Sequence, residues 1–174
     1  MLIHKQIGEL CYDKVNAIIE IPKDTSAKYE YDSNLDMFRL DRCLISSMRY
    51  PLNYGFIPQT IAEDGDPLDI MIYNSVPIDR GTFVECRILG CMNMVDTGIH
   101  DYKILGVPMF NPNKYTNYTD LDKIALHIFE DFFCNYKNLE GKKVVINGWT
   151  NKEGAVNIIK ESNNKYYQIY HATR

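Results

Sequence analysis

The chain has 174 residues, 45% of them hydrophobic and 24% charged, the size and balance of one ordinary globular domain able to bury a core without disulfides or a structural metal. Its formal net charge of −4 excludes a protein that grips nucleic acid through a general basic excess, so an anionic ligand would need a local cluster of cations. Five scattered cysteines, Cys11, Cys43, Cys86, Cys91 and Cys134, exclude a paired disulfide framework and read as buried, reduced thiols of a cytoplasmic protein.

The N-terminal MLIHKQIGELCYDK lacks the apolar stretch and cleavage site of an export signal, and no run approaches the ~18 to 20 apolar residues of a membrane span. From Val15 to Pro108 the pattern is short and β-rich. VNAIIEIP, SAKYEYD, LDMFRLDR, PLDIMIYN, TFVECRILGCMNMVD and YKILGVP each read as a strand, with Asp32, Ser33 and Asn34 supplying a hairpin turn between the second and third. Many short strands without long helical crossovers fit a small barrel better than a doubly wound sheet.

The period changes at Thr119. Leu121, Ile124, Ala125, Ile128, Phe129 and Phe132 recur at helical spacing, and Thr119 with Asp122 predicts the N-terminal cap. A strand KVVINGW follows, then a second short helix from about Thr150, where Thr150 and Glu153 match a capping box. The tail KYYQIYHATR reads as a partly ordered terminus. No repeat or linker interrupts the chain, so residues 1–174 are expected to form a single domain, mainly β with flanking helices.

EDGDPLDI, residues 63–70, packs Asp64, Asp66 and Asp69 around one glycine and one proline. An isolated D-x-D is most often a solvated acidic turn, but three carboxylates this close repel one another and make best sense around a multivalent cation. An EF-hand is excluded, because its sixth position is Asp69 rather than glycine and Ser75 stands where the bidentate Glu belongs. A second acidic pair, Asp96 and Asp101 in VDTGIHDYK, flanks a turn at Gly98, with Lys103 beside it. Oxygen ligands in this number suit magnesium, which keeps water and completes its shell with substrate phosphate. Lys28 and Glu30 alternate onto one strand face, and Arg42 ends the strand across the hairpin. A forked guanidinium and point-charge ammonium beside such a cluster are what a doubly phosphorylated anion needs. Tyr50 and Tyr54 bracket PLN, and Tyr136 with Lys137 closes the first helix, adding hydroxyl donors and a further cation.

In order, IEIP, KYE, LDR, YPLNYGFIP, DGDPLD, VDTGIHDYK and NYKNLEGK closely resemble the motifs of the soluble family I inorganic pyrophosphatases in their bacterial form, over about Val15 to Trp149. The resemblance implies a five-stranded OB-like β-barrel with two C-terminal helices, and a cytoplasmic enzyme, a homo-oligomer and usually a hexamer, that hydrolyses pyrophosphate to two phosphates. It implies several Mg2+ ions per site, with Mn2+ or Zn2+ as substitutes. By position it makes Asp64, Asp69 and Asp101 ligands of the two metals holding the attacking water, Asp96 a ligand of additional metal, and Asp66 the general base. Glu20 and Glu30 match residues organising the metal and water shell. Lys28, Arg42, Tyr54, Tyr136 and Lys137 match substrate contacts, and Tyr50 and Lys103 further active-site positions. Thr97 and Arg49 depart from the family pattern, the first weakening a metal site, the second altering substrate access or a subunit contact. Two rivals share parts of this pattern. An OB-type oligonucleotide binder conflicts with the acidic rim, which would repel a phosphate backbone, and a broader metal-dependent phosphoesterase differs in its leaving group.

Overall fold

The structure, a computed structural model, describes residues 7–8, 13–110 and 115–171. Its strands are β1 (Lys14–Ile21), β2 (Ala27–Asp32), β3 (Met37–Cys43), β4 (Asn53–Phe56), β5 (Asp69–Ile72), β6 (Phe83–Asp96), β7 (Ile99–His100), β8 (Lys103–Pro108) and β9 (Val144–Asn151). The helices are α1 (Lys123–Asn135) and α2 (Lys152–His171).

Five strands close a ring. β1 pairs antiparallel with β4, β4 with β5, β5 parallel with β8, β8 antiparallel with β6, and β6 returns to β1. This is the expected OB-like barrel. The closure depends on the 14 residues of β6, long enough to serve successive partners: Phe83 to Arg87 face β1, Cys86 to Met92 face β8, and Gly90 to Asp96 face β9. Gly90 permits the β9 crossing, because a Cβ there would stand 2.7 Å from the Thr150 carbonyl oxygen. β2 and β3 form a separate two-stranded ribbon beside the barrel.

The ring strands bury both faces, which is why they read as near-continuous apolar runs. In β5, Ile70 and Ile72 join a core with Val15, Ala17 and Ile19 of β1 and with Ala155, Val156 and Ile159 of α2. Met71 points the other way, into a core with Tyr54, Leu105 and the α1 rings Phe129, Phe132 and Phe133. Period-two alternation thus feeds two hydrophobic layers from one strand.

Several local expectations need correcting. The strand of YPLNYGFIP, β4, and the two-residue β7 were not anticipated. α1 begins at Lys123, and Asp122 is itself the cap, its carboxylate accepting from the Ile124 N–H at 2.8 Å. Thr119 falls instead in a 3-10 turn, Tyr118–Asp120, whose Asp120 carboxylate accepts from the Thr116 N–H at 2.7 Å. Ile124 and Ile128, assigned to the buried stripe, are 68% and 50% exposed, while Phe133 is buried in their place. α2 is 20 residues long rather than short, and it takes in the tail up to His171; 172–174 lie outside the described residues. Its cap is Asn151, whose side chain accepts from the Gly154 N–H at 3.0 Å, because the Thr150 hydroxyl is spent on Asn93. Cys86 and Cys91 are buried thiols, with burial pushing Cys91 up to about 12, but Cys43 is exposed, and Cys11 lies outside the described residues. Among the described residues no helix is long and apolar enough to cross a membrane.

Candidate active site

The site is a cleft of about 470 Å³ between the β2–β3 ribbon and one end of the barrel. The ribbon supplies Lys28 and Glu30. Lys28 lies opposite Arg42 in the register, and the Lys28 ammonium pairs with the Glu30 carboxylate on the same strand face. A bulge follows, since Tyr29 pairs with Leu40 and leaves Asp41 as an extra residue. That irregularity brings Asp41 to the same side as its neighbour, where its Oδ2 accepts from Lys28 Nζ at 3.2 Å and from Arg42 Nη1 at 2.5 Å. Burial alone would lower the Lys28 ammonium and raise the Asp41 carboxyl. The ion pairs reverse both, so Lys28 stands above its usual range and Asp41 below.

The barrel supplies the carboxylates. Residues 62–66 close into a tight loop, with the Ala62 N–H donating to the Asp66 carbonyl at 2.7 Å and Gly65 at φ +93°. The Asp64 carboxylate accepts from the Asp66 backbone N–H at 3.0 Å, which fixes the Asp64 side chain against the loop. Burial, then Asp64 and Asp69, raise the Asp66 carboxyl above the ordinary range. Asp69 opens β5 and pairs in parallel register with Lys103, the first residue of β8. Lys103 is 2% exposed, and its Nζ donates at 2.5 Å both to Asp69 Oδ2 and to Asp101 Oδ1. Burial lifts the Asp101 carboxyl to about 6 against the pull of Lys103, with Asp69 adding to the rise. Glu20, on β1, is raised to about 8, chiefly by burial, although its carboxylate accepts from the Tyr31 N–H at 2.7 Å.

The turn after β6 places Asp96 across from Lys137, and the two pair directly. Against the effect of burial, Lys137 and the Thr97 hydroxyl, 2.9 Å away, hold the Asp96 carboxyl low. Thr97 itself sits at φ +52°, a left-handed turn position that a β-branched residue rarely takes. Tyr54 and Tyr136 face the same cleft with phenols pushed up by burial first and by the aspartates around them, so both remain protonated donors.

The fold thus brings Glu20, Lys28, Glu30, Tyr54, Asp64, Asp66, Asp69, Asp96, Asp101, Lys103, Tyr136 and Lys137 to one cleft. Arg42 and Tyr50 do not line it. Arg42 reaches the site's edge through Asp41, and its Nε donates at 3.0 Å to Glu140. Tyr50 is buried, its ring packed on Tyr54, Phe132 and Tyr136, so its place is to hold the two cleft phenols. Asp41 and Glu140 are the residues sequence reasoning missed. Glu140 stood in a quoted motif without a role, and strict alternation would have turned Asp41 to the other face; only the bulge reveals it.

Among the described residues no three Asp, Glu, His or Cys side chains already converge on one coordinating position. The carboxylates are instead held by Lys28, Lys103 and Lys137. The donor set nonetheless fits hard divalent cations, because all of it is oxygen and the carboxyls of Asp66, Asp101 and Glu20 are raised by burial and mutual repulsion that bound cations would relieve.

Comparison with known proteins gives one consistent result. The sequence profile of the family described as inorganic pyrophosphatase matches residues 17–167. An inorganic pyrophosphatase of Synechocystis sp. is 41% identical over 155 residues, covering 87% of this chain and 91% of its own. Soluble inorganic pyrophosphatase 1 of Arabidopsis thaliana is 38% identical over 173 residues, 97% of this chain and 81% of its own. Among solved structures, the inorganic pyrophosphatase from Neisseria gonorrhoeae superposes with a TM-score of 0.92 at 34% identity, covering 95% of this chain and 99% of that one.

Proposed function

The chain belongs to the inorganic pyrophosphatase family and hydrolyses pyrophosphate to two phosphates; we propose that it does so in this cleft, by in-line attack of a water whose proton Asp66 accepts. The observation that carries this reading is the packing of Asp64, Asp66, Asp69 and Asp101 against Lys28, Lys103 and Lys137 around one cleft.

Bound divalent cations, which we take to be magnesium with manganese or zinc as substitutes, neutralise pyrophosphate charge and lower the pKa of the attacking water. Asp64, Asp69 and Asp101 would hold them, with Asp96, Glu20 and Glu30 completing the outer arrangement. Asp66 is free of a lysine partner among the contacts described above, and its raised pKa makes it a stronger base than an ordinary carboxylate. Lys28 and Lys137, paired to Glu30 and Asp96 in the cleft, supply the ammonium charge for the phosphate oxygens. Arg42 adds a forked contact at the cleft edge, and the Tyr54 and Tyr136 phenols donate to phosphate oxygens. Catalysis is then mainly positioning and electrostatics. We also propose that the protein is a cytoplasmic homo-oligomer, a hexamer.

Phosphate release from pyrophosphate by the purified protein, with and without magnesium, tests the reading. Release that stops on chelation and returns with magnesium is expected. Full activity in excess chelator, or faster turnover of an organic phosphomonoester than of pyrophosphate, would overturn it.

A further inference from the structure

β2 carries Lys28 and Glu30 into the cleft, yet it belongs to a ribbon that shares no ladder with the barrel. Something other than strand pairing must fix its distance from Glu20 on β1. One tie is the Glu20 carboxylate, which accepts from the Tyr31 N–H. A second comes from Arg80, in the segment between β5 and β6. The Arg80 Nε donates to the Glu20 carbonyl oxygen at 2.9 Å, and its guanidinium carbon lies 3.0 Å above the centroid of the Tyr29 ring. Tyr29 follows Lys28 and precedes Glu30 along β2 and also borders the cleft, whereas Arg80 does not line it, so the guanidinium braces the strand from outside the site. The base of this arm is rigid. Immediately after it in the chain, the Gly81 N–H donates to the Ile19 carbonyl at 2.8 Å and the Ile19 N–H donates to the Thr82 carbonyl at 3.0 Å.

We propose that Arg80 is a positioning residue for the pyrophosphate site, clamping β2 to β1 so that Lys28 and Glu30 keep their place beside Glu20. Arg80 does not line the cleft and takes no part in the chemistry. It acts through the Tyr29 ring, where a cation over an aromatic face is favourable by direct electrostatic attraction, and through the Glu20 backbone, where its planar fork can bond while it stacks. The inference rests on the reading of the cleft as the pyrophosphate site, and the test separates the two.

The full chain is compared with Arg80→Gln, Tyr29→Leu, Tyr29→Phe and the Arg80→Gln/Tyr29→Leu double variant, at saturating magnesium. A residue that only supported folding would reduce the amount of active protein and leave the KM of the remainder unchanged. Loosening Lys28 instead raises KM. The expected result is a KM for pyrophosphate about fivefold higher in Arg80→Gln and in Tyr29→Leu, no higher in the double variant than in either single one, and unchanged in Tyr29→Phe, which keeps the ring. Exchange of the Tyr31 amide hydrogen should quicken in the same variants that raise KM. If Arg80→Gln does not fold, Tyr29→Leu against Tyr29→Phe carries the same comparison. A wild-type KM in Tyr29→Leu, or effects of the two substitutions that multiply, would overturn the clamp. If the wild-type protein releases no phosphate at all, the functional reading falls instead, and an unchanged Tyr31 exchange rate in Arg80→Gln would then overturn the clamp separately.

Discussion

Two aspartates three residues apart, Asp66 and Asp69, have different proposed roles, and single substitutions separate them. Asp66 has no lysine among its described contacts, whereas Asp69 is held at 2.5 Å by Lys103. Asp66→Asn should leave metal affinity largely intact while the rate falls by about 10² to 10⁴, the usual worth of a general base. Asp69→Asn should weaken metal binding together with rate, and should also strand the buried Lys103 with Asp101 as its remaining carboxylate. Metal titration by calorimetry beside steady-state kinetics checks both; equal loss of metal binding with full turnover at saturating metal would exclude these roles. Proton linkage gives a second expectation. Burial raises Asp101 to about 6 and Glu20 to about 8, so in the metal-free cleft both keep protons that ordinary carboxyls would have lost. Metal bound by the proposed ligands would have to displace those protons. Apparent affinity should therefore fall as pH drops from about 8 to about 5, with protons released on binding. Calorimetry in two buffers of different ionisation enthalpy measures that release, and buffer-independent heats would contradict it.

At the scale of elements, function depends on irregularities as much as on regular strands. The bulge at Asp41 lets one aspartate bridge Lys28 and Arg42, and the turn at Thr97 and Gly98, at φ +52° and +89°, returns the chain so that Asp96 and Asp101 flank the same rim. β4 shows the same dependence on close approach. Gly55 pairs with Ile19 of β1, and a methyl at position 55 would overlap the Ile18 carbonyl oxygen and crowd the Ile19 Cα. The obstacle is backbone, which cannot swing aside as a side chain could. Gly55→Ala should cost about 3 kcal/mol or more, since relief requires parting two strands of a closed ring beside Tyr54. Urea denaturation measures the loss, and a variant within about 0.5 kcal/mol of wild type would show that the β1–β4 contact is looser than its geometry.

For the whole molecule, the closed barrel leaves α1 packed by Phe129, Phe132 and Phe133 while Ile124 and Ile128 face outward. Burying these two exposed isoleucines, one turn apart, in a subunit contact would contribute about 1.5 to 3 kcal/mol per side chain fully buried. Ile124→Glu combined with Ile128→Glu should shift sedimentation from the proposed hexamer to a smaller species, and a wild-type protein sedimenting as a monomer would dismiss the oligomer. The sequence by itself determined the barrel class, the strands VNAIIEIP, SAKYEYD, LDMFRLDR and TFVECRILGCMNMVD, and the identities of the acidic and basic residues that meet in the cleft. Most of those are local signals, carried by alternation, turn chemistry and clustered charge, whereas Glu20 entered through the family resemblance alone. Only the tertiary structure decided which faces were buried. Ile124 fitted a helical stripe yet lies outside it, because the stripe's centre is set by where α1 meets the barrel. Tyr50 stood among the candidate site residues yet does not line the cleft, because Phe132 and Tyr136, at the far end of α1, pack against it. Asp41, Glu140 and Arg80 acquire their partners across a bulge, 98 residues of chain, and a stacked ring respectively. Contacts of that kind depend on register and distance in space, which no periodicity along the chain encodes.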